Sequence, residues 1–153
     1  MTAPFIAEHF TTIGIAVFAL TLFFAYGEEV EKQDNGGTWA AGFRFGILES
    51  RWYILALLVL WAGFRFPLAL LIIGLIFRLI YTPSMHGALA KIGSRSLGAA
   101  TALHASHNTV AILIGLWILA HGATFTPGMA AYPIVGATIF LSGAAVRSAA
   151  SVS

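Results

Sequence analysis

Five long apolar runs, separated by short polar segments, dominate the amino-acid sequence. They cover residues 10–26, 43–63, 67–82, 97–120 and 129–147. An α-helix rises about 1.5 Å per residue, so about 20 apolar residues cross the hydrocarbon core of a bilayer. The pattern therefore predicts an all-α, polytopic membrane bundle of about five transmembrane helices, with the third span short for a bilayer.

The second and third runs are separated only by the segment Phe64-Arg65-Phe66-Pro67. Proline has no amide donor and restricts the residue before it, which favours a break in the helix at this point. With the break, every basic residue except Arg65 falls on one side of the membrane. Because cytoplasmic segments are enriched in Lys and Arg, we expect the N-terminus outside and the C-terminus in the cytoplasm, in the inner membrane of a bacterium.

Composition agrees with a membrane protein. Hydrophobic residues make up 59% of the 153 residues and charged residues 9%, which a soluble domain of this size could not cover with polar surface. We therefore expect residues 1–153 to form one transmembrane domain whose main partner is the lipid bilayer. The absence of cysteine excludes disulfides and thiolate ligands. The net charge of +2 comes without a basic patch, so no nucleic-acid partner is expected.

Two polar segments are predicted to be cytoplasmic loops. Residues 27–38 combine several charged side chains with the turn formers Asn35, Gly36 and Gly37, which predicts a solvated connection. Residues 82–96 form the second loop, and no special role is expected for His86 within it. The fourth and fifth spans are rich in Gly and Ala. Such small residues let helices approach closely, so we expect these faces to pack against neighbouring helices or other membrane subunits.

One polar cluster interrupts the fourth span. His104, His107 and Asn108 stand at positions i, i+3 and i+4, so they share one helix face, and Glu49 lies at a similar depth in the second span. Polar groups inside a bilayer must find partners within the protein. We expect this face to be buried between the second and fourth spans, as interhelical packing or as a site that activates water or relays protons. The ligand set is too small to predict a metal site.

Two further histidines, His9 and His121, are placed near the outer surface. An interfacial, solvated position is the simpler interpretation. The alternative is axial ligation of a haem or a chlorophyll-type pigment, for which neutral imidazole is suited. No other cofactor is expected.

The region around the polar cluster resembles a known family. Arg95-Ser96-Leu97 leads into a helix bearing His104-x-x-x-Asn108, and residues 43–46 read Phe-Arg-Phe-Gly. Together with Gly74 and Tyr81-Thr82, this resembles the CPBP intramembrane proteases, the CAAX-protease and bacteriocin-processing group, over about residues 43–120. The resemblance implies a helical membrane core and, for a peptidase, catalytic roles for His104 and Asn108.

Two signatures of that family are missing from their expected places. No carboxylate stands near Trp39 and Ala40, where the family has a glutamate pair; the pair Glu28-Glu29 lies in a predicted loop and is followed by Gln33 where the motif has Arg. The Phe-x-x-x-His signature is also missing, because Leu68 stands four residues after Phe64. Hydrolysis of a peptide needs a general base.

The sequence therefore favours a non-catalytic accessory, scaffold or assembly subunit of a larger membrane complex on a reduced CPBP-like core. The first alternative is an intramembrane endopeptidase that uses Glu49 or Glu28 with His104 and Asn108. The second is a subunit associated with pigment, haem or quinone.

Overall fold

A computed structural model describes residues 3–65, 67–122 and 126–151, which form helices and short turns without a strand. The α-helices of this part of the chain are α1 (Ala3–Glu8), α2 (Phe10–Asp34), α3 (Trp39–Phe64), α4 (Leu68–Ile76), α5 (Thr82–Gly93), α6 (Leu97–His121) and α7 (Ala131–Ala150). A π-helical turn, Phe77–Tyr81, joins α4 to α5, and a 3-10 turn, Pro127–Ala130, precedes α7.

Five stretches are long and apolar enough to cross a membrane: Phe10–Asp34, Trp39–Gly63, Leu68–Gly93, Leu97–His121 and Gly128–Ala150. The predicted bundle of five membrane-spanning helices is confirmed, including the break between the second and third spans. At that break Arg65 adopts a positive φ of 53°, a left-handed conformation that turns the chain between α3 and α4. Phe66 and residues 123–125 lie outside the described residues.

The predicted loop over residues 27–38 is wrong for most of its length, because α2 continues to Asp34. Glu, Lys and Gln are good helix formers, so the charged sequence that follows Tyr26 extends the helix rather than ending it. The helix ends where Gly36 and Gly37 take positive φ values of 97° and 57°. The turn formers were interpreted correctly, and the charges before them were not.

The predicted loop over residues 82–96 is also wrong, because α5 occupies Thr82–Gly93. Pro83 is the second residue of α5, a position where a missing amide proton costs little. Because Pro83 has no N–H, the carbonyl of Leu79 lacks its i+4 donor. The N–H of Thr82 bonds to Phe77 O, five residues back, and this bond forms the π turn. The third span is therefore 26 residues long and not short.

Helix α5 lies at the centre of the bundle and packs against α3, α6 and α7. Close packing depends on glycine: a Cβ on Gly42 would stand 2.2 Å from the carbonyl oxygen of His86, and one on Gly46 would stand 2.6 Å from Pro83 Cα. Gly143 of α7 meets Ala88 in the same way. Gly143 of the last span thus packs within the chain, as expected, whereas a Cβ on Gly98 or Gly115 of the fourth span would meet no atom within 4 Å.

Candidate functional site

Six ionisable side chains meet where α2, α3, α5 and α6 come together. They are Glu28, Glu29 and Lys32 of α2, Glu49 of α3, His86 of α5 and His104 of α6, and we call them the Glu–His cluster. Counted along the helices at about 1.5 Å per residue, Glu28, His86 and His104 lie about 10 Å inside the helix ends. Ionisable groups at such a depth are costly unless paired, which makes the cluster the first candidate for a functional site.

A fully buried network forms one half of the cluster. Lys32 Nζ donates to Glu29 Oε1 at 2.5 Å, and His104 Nδ1 donates to the same oxygen at 2.8 Å. Both Lys32 and Glu29 have side chains that are 0% exposed. Glu29 is thus committed to two donors and is closed to any other molecule.

Glu49 and His86 form the other half. Glu49 Oε2 lies 2.7 Å from His86 Nε2, and the His86 side chain is buried while that of Glu49 remains 33% exposed. The ring of His86 stands edge-on to the ring of His104, with 5.0 Å between their centroids. Within the described residues, His86 Nδ1 is buried without a hydrogen-bond partner.

Glu28 faces the two histidines from α2. Its Oε2 lies 3.6 Å from His104 Nε2, too far for a good hydrogen bond, and its side chain is 30% exposed. One ligand atom from each of Glu28, His86 and His104 can be chosen so that all three lie within 4.8 Å of one another. These three side chains are therefore the part of the cluster that could hold a metal ion.

A lateral groove reaches the cluster between α2 and α3, which touch each other at only a few residues. Its larger cavity, about 450 Å³, has Glu49 in its wall beside Phe45, Leu48 and Trp52. A second cavity of about 230 Å³ continues along the same groove and includes Lys32. Two members of the cluster, Glu49 and Lys32, thus line this groove.

The structure corrects the predicted pairing of the polar face. His104 and His107 are buried, as expected, but His104 bonds to α2 and meets the ring of His86 on α5 edge-on, rather than pairing directly with Glu49. His107 points to another neighbour, because its Nε2 accepts a hydrogen bond of 2.8 Å from the Tyr81 hydroxyl. Asn108 is half-buried, and its Oδ1 lies 3.4 Å from His107 Nδ1.

His9 and His121 are both held by their own helical segments. His9 stacks on Phe5 with 4.4 Å between ring centroids, and His121 stacks on Trp117 with 3.9 Å. The Nδ1 atom of each ring is also bonded to the carbonyl of the same aromatic residue. This leaves the interpretation as interfacial histidines intact, and the pigment or haem alternative stays a prediction.

Sequence reasoning missed His86, Glu29 and Lys32 because it assigned them to loops. Two signals could have found them. Glu29 and Lys32 have the i, i+3 spacing of a helical ion pair, and Pro83 is typical of the first turn of a helix, which would have placed His86 on that helix. No family model matches the chain, and no match was found among the curated proteins or the solved structures.

Proposed function

We propose that the chain is a membrane-embedded hydrolase that cleaves a peptide bond at the Glu–His cluster. The observation that carries this proposal is the convergence of Glu28, Glu49, His86 and His104 from four different helices inside a bundle that spans the bilayer. The sequence argued against a peptidase because the family's glutamate position carries no carboxylate, the pair Glu28-Glu29 was assigned to a loop, and the Phe-x-x-x-His signature is missing. With Glu28 and Glu29 in α2 beside His104, the loop assignment no longer counts against a peptidase.

The chemistry needs a carboxylate that substrate and water can reach. Glu29 does not qualify, because its side chain is 0% exposed and bonded to Lys32 and His104. Glu28 and Glu49 are each about one-third exposed, at 30% and 33%. Either can take a proton from water, so that the hydroxide attacks the carbonyl carbon; the C–N bond then breaks, and the leaving amine takes that proton.

The developing oxyanion needs donors or a cation nearby. The CPBP resemblance assigns this role to His104 and Asn108. Asn108 stands one helical turn from His104 on α6, and Lys32 supplies a buried positive charge that is paired with Glu29. The lateral groove between α2 and α3 places Glu49 beside Phe45, Leu48 and Trp52, where an apolar peptide can contact this carboxylate.

A scaffold or accessory subunit is the second candidate. The buried network of Lys32, Glu29 and His104 favours it, because these hydrogen bonds hold α2 against α6 without any substrate. In that case the remaining carboxylates have no chemical role. Loss of Glu28 or Glu49 would then change only stability.

Hydrolysis by the purified protein separates the two candidates. Reconstituted in liposomes with a mixture of synthetic apolar peptides, the protein should give cleavage products that mass spectrometry identifies. Whichever of Glu28→Gln and Glu49→Gln removes the base should lower the rate by about 10²- to 10⁴-fold, the usual contribution of general acid–base catalysis. Glu8→Gln on α1 removes an exposed carboxylate outside the cluster and should leave the rate unchanged.

The variants must also keep the melting temperature of the unmodified protein, so that a lower rate is not caused by unfolding. Cleavage that persists in the Glu28→Gln and Glu49→Gln variants at the rate of the unmodified protein would contradict a role for the cluster. An unmodified protein that cleaves none of the peptides would favour the scaffold.

We also propose the orientation in the membrane. Five basic residues lie near one end of the bundle, namely Lys32, Arg44, Lys91, Arg95 and Arg147. Arg65 marks the other end, while Arg51 and Arg78 fall near the middle of their spans and do not count toward either side. The positive end should face the cytoplasm, with the N-terminus outside, in the inner membrane of a bacterium.

A further inference from the structure

We propose that Glu28, His86 and His104 bind one divalent transition-metal ion, best suited to zinc, at the centre of the Glu–His cluster. This inference rests on the proposed hydrolase function and deepens it, because it assigns the electrophile that the reaction needs. It also divides the two accessible carboxylates by role, with Glu28 as a metal ligand and Glu49 as the base.

The three side chains are spaced for metal binding. Ligand atoms of a tetrahedral zinc ion lie about 3.3 Å apart, given metal–ligand bonds of about 2.0–2.1 Å. His104 Nε2 and Glu28 Oε2 are 3.6 Å apart, and the ligand atoms of all three residues lie within 4.8 Å of one another. The Glu28 side chain is 30% exposed, so it has room to rotate toward His104 Nε2 when a metal ion binds.

Each histidine is already oriented by a carboxylate. His104 Nδ1 is bonded to Glu29 Oε1, and His86 Nε2 lies 2.7 Å from Glu49 Oε2. Metal-ligating histidines typically donate their second ring nitrogen to a carboxylate in this way, which fixes the tautomer and raises the basicity of the ligand atom. The nitrogens left over are His104 Nε2 and His86 Nδ1.

The unused nitrogen of His86 is an independent sign of a missing ligand. His86 is 1% exposed, and its Nδ1 has no hydrogen-bond partner in the part of the chain that the structure describes. An unpaired buried nitrogen costs free energy comparable to a lost hydrogen bond. A metal ion bound to that nitrogen removes this cost.

Two imidazoles and one carboxylate favour zinc over magnesium or calcium, which prefer oxygen ligands. Three protein ligands leave a fourth position open for water, the arrangement of catalytic zinc sites. Water bound there loses its proton to Glu49, the hydroxide attacks the substrate carbonyl, and the metal takes the charge of the oxyanion. The C–N bond breaks, and the amine leaves with the proton from Glu49.

Zinc titration of chelator-treated, detergent-purified protein tests the site. Isothermal calorimetry should give one Zn²⁺ per chain for the unmodified protein. His86→Ala, His104→Ala and Glu28→Ala should each weaken binding by at least about 100-fold, and Glu29→Gln, which acts through His104, by about 10- to 100-fold. His121→Ala removes an exposed histidine of the same helix as His104 and should bind as the unmodified protein does.

Glu49→Gln separates the roles of the two carboxylates. Its amide oxygen still accepts from His86, so zinc affinity should fall by no more than about 10- to 100-fold. Hydrolysis at saturating zinc should nevertheless be lost. Where a variant does not fold, X-ray absorption on the zinc-loaded unmodified protein tests the site instead. It should show two imidazole nitrogens at about 2.0–2.1 Å from the zinc ion.

The outcomes distinguish this inference from the function on which it rests. Hydrolysis that survives complete chelation overturns the metal site and leaves the hydrolase standing. The metal site is also overturned if the His86→Ala and His104→Ala variants bind zinc as tightly as the unmodified protein does. A bound zinc ion without imidazole ligands overturns it as well. Zinc bound as expected without any hydrolysis supports the metal site and overturns the hydrolase.

Discussion

At the scale of single residues, Lys32 shows how one buried charge depends on its neighbours. Its side chain is fully buried between α2 and α3, where its Nζ bonds to Glu29 and lies 4.9 Å above the ring of Phe45. A buried ion pair adds little stability in total, because desolvation offsets the attraction. Removing one partner is costly, because the other charge is left without compensation.

We therefore predict that Lys32→Met destabilises the protein by about 3–5 kcal/mol, because Glu29 loses a buried cation. The double variant Glu29→Gln with Lys32→Met should recover much of this loss, since no uncompensated charge remains. Denaturant unfolding in detergent measures both. If the free-energy losses of the two single variants simply add in the double variant, the two residues are not coupled and the network is wrong.

At the scale of helices, the site depends on how closely α3 approaches α5. Gly42 and Gly46 stand one turn apart on α3, against the backbone of α5 at His86 and Pro83. This contact brings His86 within reach of Glu49 and presents it to α6. Small residues one turn apart are the usual means by which membrane helices come into close contact.

Gly42→Ala and Gly46→Ala should each destabilise the protein by about 1–3 kcal/mol, because the added methyl group forces the two helices apart. Gly115→Ala on α6 is the matched control: a Cβ there meets no atom within 4 Å, and alanine is the better helix former. Thermal unfolding should give both variants a lower melting temperature than the unmodified protein, and Gly115→Ala an equal or higher one. A Gly42→Ala protein as stable as Gly115→Ala would refute the close approach.

The sequence predicted those helix ends that have a local chemical signal. Helix α6 begins at Leu97 as expected, and Ser96 caps it by accepting a hydrogen bond from Ala99 N at 3.2 Å. The polar end of α2 and all of α5 were missed, because charge was taken to mean solvent. Glu29 is paired with His104, which is 75 residues away, and a local pattern does not contain such a contact.

At the scale of the whole molecule, the bundle has one basic and one nearly uncharged end. The chain has no cysteine, so single cysteines introduced at its turns can report their side of the membrane. Asn35→Cys and Ser94→Cys should react with a membrane-impermeant maleimide only after the membrane is permeabilised. Arg65→Cys should react in intact cells. Labelling in the opposite sense would reverse the proposed orientation.

The candidate site was predicted only in part, because its geometry depends on contacts between helices that are distant in sequence. His104, Glu49 and Glu28 were named from the sequence, and the structure places all three in or beside one cluster. Their mutual geometry could not be derived, because it depends on α5 inserting between α3 and α6 and on His86 at the centre. Packing of helices distant in sequence determines which polar groups meet.

The central claim is that the Glu–His cluster activates water against a peptide bond, and oxygen-isotope transfer tests it most directly. Reconstituted protein is incubated with an apolar peptide in ¹⁸O-labelled water, and the new C-terminal carboxyl group is analysed by mass spectrometry. We predict one ¹⁸O atom in the product of the unmodified protein and no product from the folded Glu28→Gln, Glu49→Gln double variant. An equal yield of labelled product from that double variant, or no product from the unmodified protein, would contradict the account.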